Sequence, residues 1–425
     1  MDEKDLLLRS FQAAVAAADP LKIVPEGLPA PPRGRTLVVG AGKAAAAMAL
    51  AVEQHWPASA PLSGLVITRY GHGLVTRRIQ VLEAGHPLPD EAGAAAARDM
   101  LRRVQELGPE DLLLALISGG GSALLSLPAN GLSTADLKSV TRDLLLSGAP
   151  IQDINTVRKH VSAIQGGRLA ASSRAPVVAL IISDVAGDDA THIASGPCTA
   201  DPSTYGDALD VLERHRIEAP RTIRDHLERG LRGEYAETPK PGDAALAAVE
   251  NRLIATAHRS LQAAVALFEA NGIPAAILSD SVTGEAAEVA KVHAAIARQV
   301  ALHGEPWKAP VALLSGGECT VTVRGPGRGG RCSAFLLALG IELHALPGVS
   351  AIACDTDGID GTEDNAGAIL LPDSLARAAA AGIAPAAALR DNDSYGFFEK
   401  LSDLVVIGPT RTNVNDYRAI VIRPS

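Results

Sequence analysis

Short, wholly apolar runs alternate with longer alanine-rich stretches along nearly the whole chain. TLVV (36–39), GLVIT (64–68), IQVLEA (79–84), DLLLALI (111–117) and VVALIIS (177–183) fall in the first half. RLIATA (252–257), AAIL (275–278), VALLS (311–315), SAIAC (350–354) and LVVI (404–407) fall in the second. Such runs, unbroken by polar alternation, read as strands buried on both faces. Helical spacing follows residue 43 and recurs around 91–107, 133–146, 154–172, 258–270 and 284–302. This alternation predicts an α/β protein of mostly parallel sheets with helices on both faces. ECTVTVRGPGRGG (318–330) reads as a strand running into a glycine loop. Residues 232–245, RGEYAETPKPGDAA, are charged, proline-containing and without period. A linker there divides the chain into domains 1–240 and 241–425, consistent with a length of 425 residues.

Composition narrows the picture. Hydrophobic residues make up 47% but aromatics only 3%, so Ala, Val, Leu and Ile must build the core. An excess of 48 acidic over 39 basic residues argues against nucleic acid as a partner, though not against a small anion in a locally basic cleft. Cys198, Cys319, Cys332 and Cys354 show no CxxC spacing, which disfavours zinc or a disulfide scaffold and fits a reducing cytoplasm. The N-terminus is acidic and helical in period, unlike a secretory signal, and no uncharged run reaches the ~18 apolar residues of a membrane span. The expectation is a soluble cytoplasmic protein.

The candidate chemistry lies where strands meet glycine. The run 111–117 stops at Ser118-Gly119-Gly120-Gly121-Ser122, and the run 311–315 at Ser315-Gly316-Gly317. Glycine lets backbone N–H groups approach a ligand, and such loops at strand carboxyl ends hold phosphates in open α/β sheets. Gly40-Ala41-Gly42-Lys43 follows TLVV and opens a helix, an anion site to which Lys43 adds a charge. Walker A spacing fails there, with Ala44 in place of Ser or Thr. Gly40, Gly42 and Ala45 fit the dinucleotide pattern loosely, and the next strand ends in Thr68-Arg69 with no acid for a ribose. An NAD(P)H-dependent reductase is therefore the alternative reading.

Arg158, Lys159 and His160 suit recognition of a carboxylate or phosphate. In SDVAGDDATHIASGP (183–197), Asp184 and Asp188 follow a buried strand and Ser195-Gly196 lie just beyond. Carboxylates so placed suit Mg²⁺ held through water, and Asp184 also suits a base toward a substrate hydroxyl. Arg331, after Gly327-Arg328-Gly329-Gly330, would sit at a helix N-terminus where its charge opposes the dipole, which points to an anion there. Asp355, Asp357 and Asp360 form a glycine-punctuated acidic loop that lacks the final Glu of an EF-hand, Ala366 standing in that place.

Together these segments resemble the MOFRL-type glycerate 2-kinases, the class II glycerate kinases once often labelled hydroxypyruvate reductase. The matching stretches are VVGAGKAAAAMA (38–49), GHPLPD (85–90), SGGGSALL (118–125) and INTVRKHVSAIQGGRLA (154–170). SDVAGDDATHIASGP (183–197), LLSGGECTVTVRGPGRGGR (313–331), TDGIDGTEDNAGA (356–368) and GPTRTNVND (408–416) continue in collinear order. The resemblance implies two Rossmann-like three-layer α/β/α domains, an N-terminal glycerate kinase domain and a C-terminal MOFRL domain, with the active site in the cleft between them. It implies ATP-dependent phosphorylation of D-glycerate at the 2-hydroxyl, giving 2-phospho-D-glycerate and ADP with Mg²⁺, in a monomer or homodimer. NAD(P)H-dependent hydroxypyruvate reduction remains the alternative.

The family's functional lysine and arginine fall on Lys43 and Arg331, expected to neutralise the transferred phosphoryl group. Gly42, Ser118–Ser122, Ser195-Gly196 and Ser315–Gly317 are expected to bind substrate or phosphate, with Arg158, or else Lys159, on the substrate carboxylate. Asp184 and Asp188, then Glu318 and Asp357, are the expected metal contacts. The family's usual Asn-Gln-Glu after the arginine is replaced here by Cys332-Ser333-Ala334.

Overall fold

In the computed structural model, which describes residues 2–424, the apolar runs of the first half become one sheet. Its strands are β1 (Thr36–Ala41), β2 (Leu62–Arg69), β3 (Ile79–Ala84), β4 (Leu112–Ile117), β5 (Val177–Ile182) and β6 (Val249–Ala255). They hydrogen-bond in the order β3-β2-β1-β4-β5-β6, that of the doubly wound Rossmann sheet. β3 with β2, β2 with β1, β1 with β4 and β4 with β5 all pair parallel. Every residue of β1, β4 and β5 is buried, as central strands under helices must be. Helices Ala45–His55 and Glu91–Gln105 pack on β1, β2 and β3. β6 belongs to this sheet beside β5, although its sequence reads as the opening of the second half.

The strand order matters for function. Succession reverses between β1 and β4, so the loops leaving those two strands flank the topological switch point, where open α/β sheets bind ligands. Beyond β4, helices Thr134–Leu146, Ile151–His160, Tyr205–Arg214 and Arg221–Leu231 share a separate apolar cluster that includes Leu144, Ile154, Val157, Val211 and Leu227.

The second sheet comprises β7 (Ala275–Glu285), β8 (Val311–Thr320), β9 (Val349–Asp355), β10 (Gly367–Leu370), β11 (Leu404–Val405) and β12 (Asp416–Ile422), in the order β11-β10-β9-β12-β8-β7. β7 and β8 are parallel, whereas β12 runs antiparallel to both β8 and β9, and β10 antiparallel to β9 and β11. The α/β class therefore holds, and four strands of this sheet share one direction. The expected parallel pairing is nevertheless interrupted here, because β12 and β10 insert in reverse between strands that point the same way.

Contacts divide the chain into two compact units. One comprises Pro20–Ser183 and Asp188–Ile254 and carries the first sheet; the other comprises the N-terminal residues to Asp19, Asp184–Gly187 and the chain from Ala255 onward. Helix Glu3–Ala16 opens the chain yet joins the second of these. Its Leu6, Leu7, Phe11 and Ala14 are wholly buried in one cluster with Phe268, Ile352 and Val421.

Candidate functional site

At the switch point the two glycine loops are stitched together. Lys43 N donates to Gly119 O at 2.8 Å, Ser118 N to Ala41 O at 3.1 Å, and Ala44 N to Ser118 Oγ at 3.1 Å. Gly42 has φ +137°, and a Cβ on it would collide with Ser118 Oγ, so only glycine allows the loops to close. Ser118 is fully buried in this seam, and its backbone N–H is taken up by Ala41. It is therefore a stitch between loops rather than the phosphate donor expected from its motif. Gly120, at φ +79°, leads into the short helix Gly121–Leu124. A Cβ built on Gly120 would lie 3.4 Å from Lys43 Cγ and 3.1 Å from His86 Cδ2 and Nε2. The lysine stem and an imidazole thus close over one glycine.

A second wall comes from residues 193–196. Ala194, Ser195 and Gly196 take φ of 51°, 58° and 57°, and a non-glycine residue held there costs about 1–3 kcal/mol. The surroundings enforce it. Ser195 Oγ lies 2.9 Å from Ser122 Oγ and 3.0 Å from Asn155 Oδ1, while its carbonyl accepts from Gly166 N at 3.0 Å. Gly196 O accepts from Gly167 N at 2.7 Å. Asn155 also donates to His192 O at 3.0 Å, fixing helix Ile151–His160 to the same turn.

Beside Ser122 lies a cavity of about 10 Å³, lined also by Pro89, Ser126, Thr141, Arg158 and Gln165 among others, with room for about one water-sized group. Gln165 Nε2 donates to Ser122 O (2.8 Å) and Leu125 O (2.9 Å), holding the floor. Arg158 Nη1 donates to Asn155 Oδ1 at 3.3 Å. The residue is half-buried overall, yet burial of its guanidinium pushes the pKa down to about 10. No carboxylate pairs with Arg158 among the described residues. A desolvated cation without a counter-ion is costly to the fold.

Lys159 does not share that role. Its Nζ sits 2.6 Å from Asp201 Oδ1 with both side chains buried, so its charge is spent inside the fold. Sequence adjacency to Arg158 concealed this difference, because consecutive helical residues point about 100° apart.

In the other unit, Arg331 is held by three acids: Nε to Asp416 Oδ1 at 2.7 Å, Nη2 to Asp355 Oδ2 at 2.7 Å, and Nη1 to Glu318 Oε1 at 3.2 Å. Burial works against its charge, but Asp416, Asp355 and Glu318 together raise its pKa well above the usual arginine value. The helix Arg331–Leu343 does have a carboxyl group at its N-terminus, supplied by the protein itself. Asp360 accepts from Cys332 N and Ser333 N, each at 2.9 Å, and from Ser333 Oγ at 2.6 Å. The residues that depart from the family pattern are thus buried at this cap, with Ser333 Oγ also 2.9 Å from Ser394 Oγ.

Ser315-Gly316-Gly317 is not a loop. β8 runs through it, with Ser315, Gly316 and Gly317 paired to Arg418, Tyr417 and Asp416 of β12. Ser315 Oγ faces His293 Nε2 at 3.0 Å, and a Cβ on Gly317 would collide with Val282 of β7. Gly317 serves close strand packing, and the triplet is strand where a phosphate-cradling loop was expected. Nor do the candidate metal contacts assemble into a cage. Asp184 O accepts from Asn415 Nδ2 at 2.7 Å, Asp357 Oδ1 accepts from Ile359 N at 2.9 Å, and Glu318 pairs with Arg331. Among the described residues no group of three or more His, Cys, Asp or Glu side chains is arranged to hold a metal ion.

His86, Asn155 and Gln165 stand at the site although the sequence reading gave them no role. The available signal was their position within GHPLPD and INTVRKHVSAIQ, two segments that carry the family resemblance. No helix among the described residues is long and apolar enough to cross a membrane.

Residues 6–228 match a family described as a domain of unknown function, DUF4147, and residues 311–416 match the MOFRL family. An Agrobacterium vitis protein, named provisionally as a hydroxypyruvate reductase, is 51% identical over 99% of this chain and 94% of its own. A D-glycerate 2-kinase of Thermotoga maritima is 39% identical over 97% of each chain. A crystal structure of glycerate kinase from Thermotoga maritima superposes with a TM-score of 0.86 at 38% identity, covering 99% of both chains.

Proposed function

The chain belongs to the MOFRL-type glycerate 2-kinase family, and from that premise we propose that it uses ATP to phosphorylate D-glycerate at the 2-hydroxyl, releasing 2-phospho-D-glycerate and ADP. The observation that carries this reading within the molecule is the unpaired Arg158 guanidinium in a cavity sized for one small group, beside the switch-point loops. A 2-hydroxy acid places its carboxylate there through charge-assisted hydrogen bonds, leaving its hydroxyl toward the loops. Lys43 and the backbone N–H groups of Gly120 and Ser122 would receive the phosphoryl end of the nucleotide.

Mg²⁺ enters this reading on the nucleotide. The ion keeps most of its water and needs only one or two carboxylates, so a closed protein cage is not required. When bound it would supply positive charge to the nucleotide's phosphates. Four buried free cysteines suit a reducing cytoplasm.

Phosphorus NMR of the mixture from D-glycerate, ATP and Mg²⁺ tests the proposal: the 2-phosphoglycerate resonance should appear with equimolar ADP. A 3-phosphoglycerate signal would refute the regiochemistry. Oxidation of NADPH by hydroxypyruvate, without ATP turnover, would refute the kinase and revive the reductase read from the loose dinucleotide pattern at Gly40, Gly42 and Ala45.

A further inference from the structure

We propose that His86 accepts the proton of the substrate hydroxyl during phosphoryl transfer, an inference that rests on the kinase reading above. The segment around residues 85–90 and the loop after β4 meet at two successive points. At one, Pro89 and Ser122 both line the Arg158 cavity. At the other, His86 closes over Gly120 from one side and the Lys43 stem from another, within 3.1 Å and 3.4 Å of where a Cβ would stand. Along this segment His86, near its start, meets the turn beside Lys43, and Pro89, near its end, meets the arginine pocket.

That placement has a chemical consequence. A 2-hydroxy acid whose carboxylate meets Arg158 carries its hydroxyl on the adjacent carbon, and a phosphoryl group drawn to Lys43 must approach that hydroxyl. A hydroxyl held between them would lie along the segment that carries His86. A neutral imidazole is a suitable acceptor near pH 7. The hydroxyl oxygen forms the new bond to the γ-phosphorus, and the bond from that phosphorus to the β,γ-bridging oxygen breaks with its electron pair leaving on ADP. The hydroxyl proton passes to a ring nitrogen of His86 and from there to water. Asp90, the nearest acid along the segment, is occupied otherwise: it caps helix Glu91–Gln105 through Gly93 N at 2.9 Å and accepts from Tyr70 Oη at 2.8 Å.

The test is steady-state kinetics with D-glycerate and Mg–ATP on the full chain and on His86→Gln, His86→Ala and Asp184→Asn, the last being the rival base. Both His86 variants should lose about 10²–10³-fold in kcat, with KM for D-glycerate within about threefold, a loss typical of a removed proton acceptor. Added imidazole should return at least about tenfold of the lost rate to His86→Ala. The proposal is overturned by kcat near the wild-type value, by a rise in KM alone, or by absence of rescue in a variant that melts like the wild type. A larger kcat loss in Asp184→Asn than in either His86 variant would also overturn it, in favour of the aspartate. If the wild-type chain itself fails to turn over D-glycerate, the kinase reading falls and takes this inference with it.

Discussion

Arg158 and Lys159 show how little the type of a residue says about its work. They adjoin on one helix, yet one guanidinium faces an empty-handed cavity while the neighbouring ammonium lies 2.6 Å from Asp201. Their variants should separate cleanly. Arg158→Met removes a charge-assisted contact worth about 1.5–3 kcal/mol, so KM for D-glycerate should rise roughly 10- to 100-fold while the melting temperature holds. Lys159→Met strands the buried Asp201 carboxylate and should cost about 3–5 kcal/mol of stability, read as a lower midpoint in denaturant. A rise in KM for Lys159→Met with unchanged stability would contradict the assignment. The sequence could nominate both residues but could not choose between them, since only neighbours from residues 89, 122, 165 and 201 distinguish their surroundings.

Secondary elements explain why one Ser-Gly-Gly junction became a loop and the other did not. After β4 the chain leaves the sheet at a switch point, so the glycines sit in a loop. In β8 the same triplet has β12 on one side and β7 on the other, so it remains strand. Its glycines should then report on packing. A Cβ at Gly316 finds its nearest neighbour at 3.4 Å, whereas Gly317, at φ +112°, abuts Val282. Gly316→Ala should shift stability by less than about 1 kcal/mol, and Gly317→Ala should lose at least about 2 kcal/mol, in chemical denaturation. Near-equal effects would mean that the strand is not closed as described. β12 is the element that made the difference, and it went unread because Asp416 and Arg418 interrupt the apolar run DYRAIVI. Their side chains are buried as an ion pair with each other, with Arg331 added at Asp416.

At the scale of the whole molecule, the first helix ties the start of the chain to the sheet built from its end. Leu6, Leu7 and Phe11 have no exposed surface, and burying each is worth about 1.5–3 kcal/mol. Deleting residues 2–16 should therefore destabilise the unit that contains β7–β12, seen as faster proteolysis there than in the unit that contains β1–β6. All four cysteines are buried and free, and burial pushes the Cys198 thiol up to about 12 and the other three above the ordinary range. A thiol reagent should react with none of them in the native protein and with all of them on unfolding. Rapid native labelling would show that one of these cores opens.

Local pattern was sufficient for the α/β class, for most strands, and for the glycine-bounded segments around Lys43 and Ser118, because burial on both faces and tight turns leave marks in consecutive residues. Family likeness extended that reading to an activity. Strand direction in the second sheet, the unpaired state of Arg158, the acids around Arg331 and the meeting of His86 with Gly120 left no such marks. Each depends on partners from distant parts of the chain, and a charge becomes a ligand site or a structural pair according to which partners the fold brings beside it.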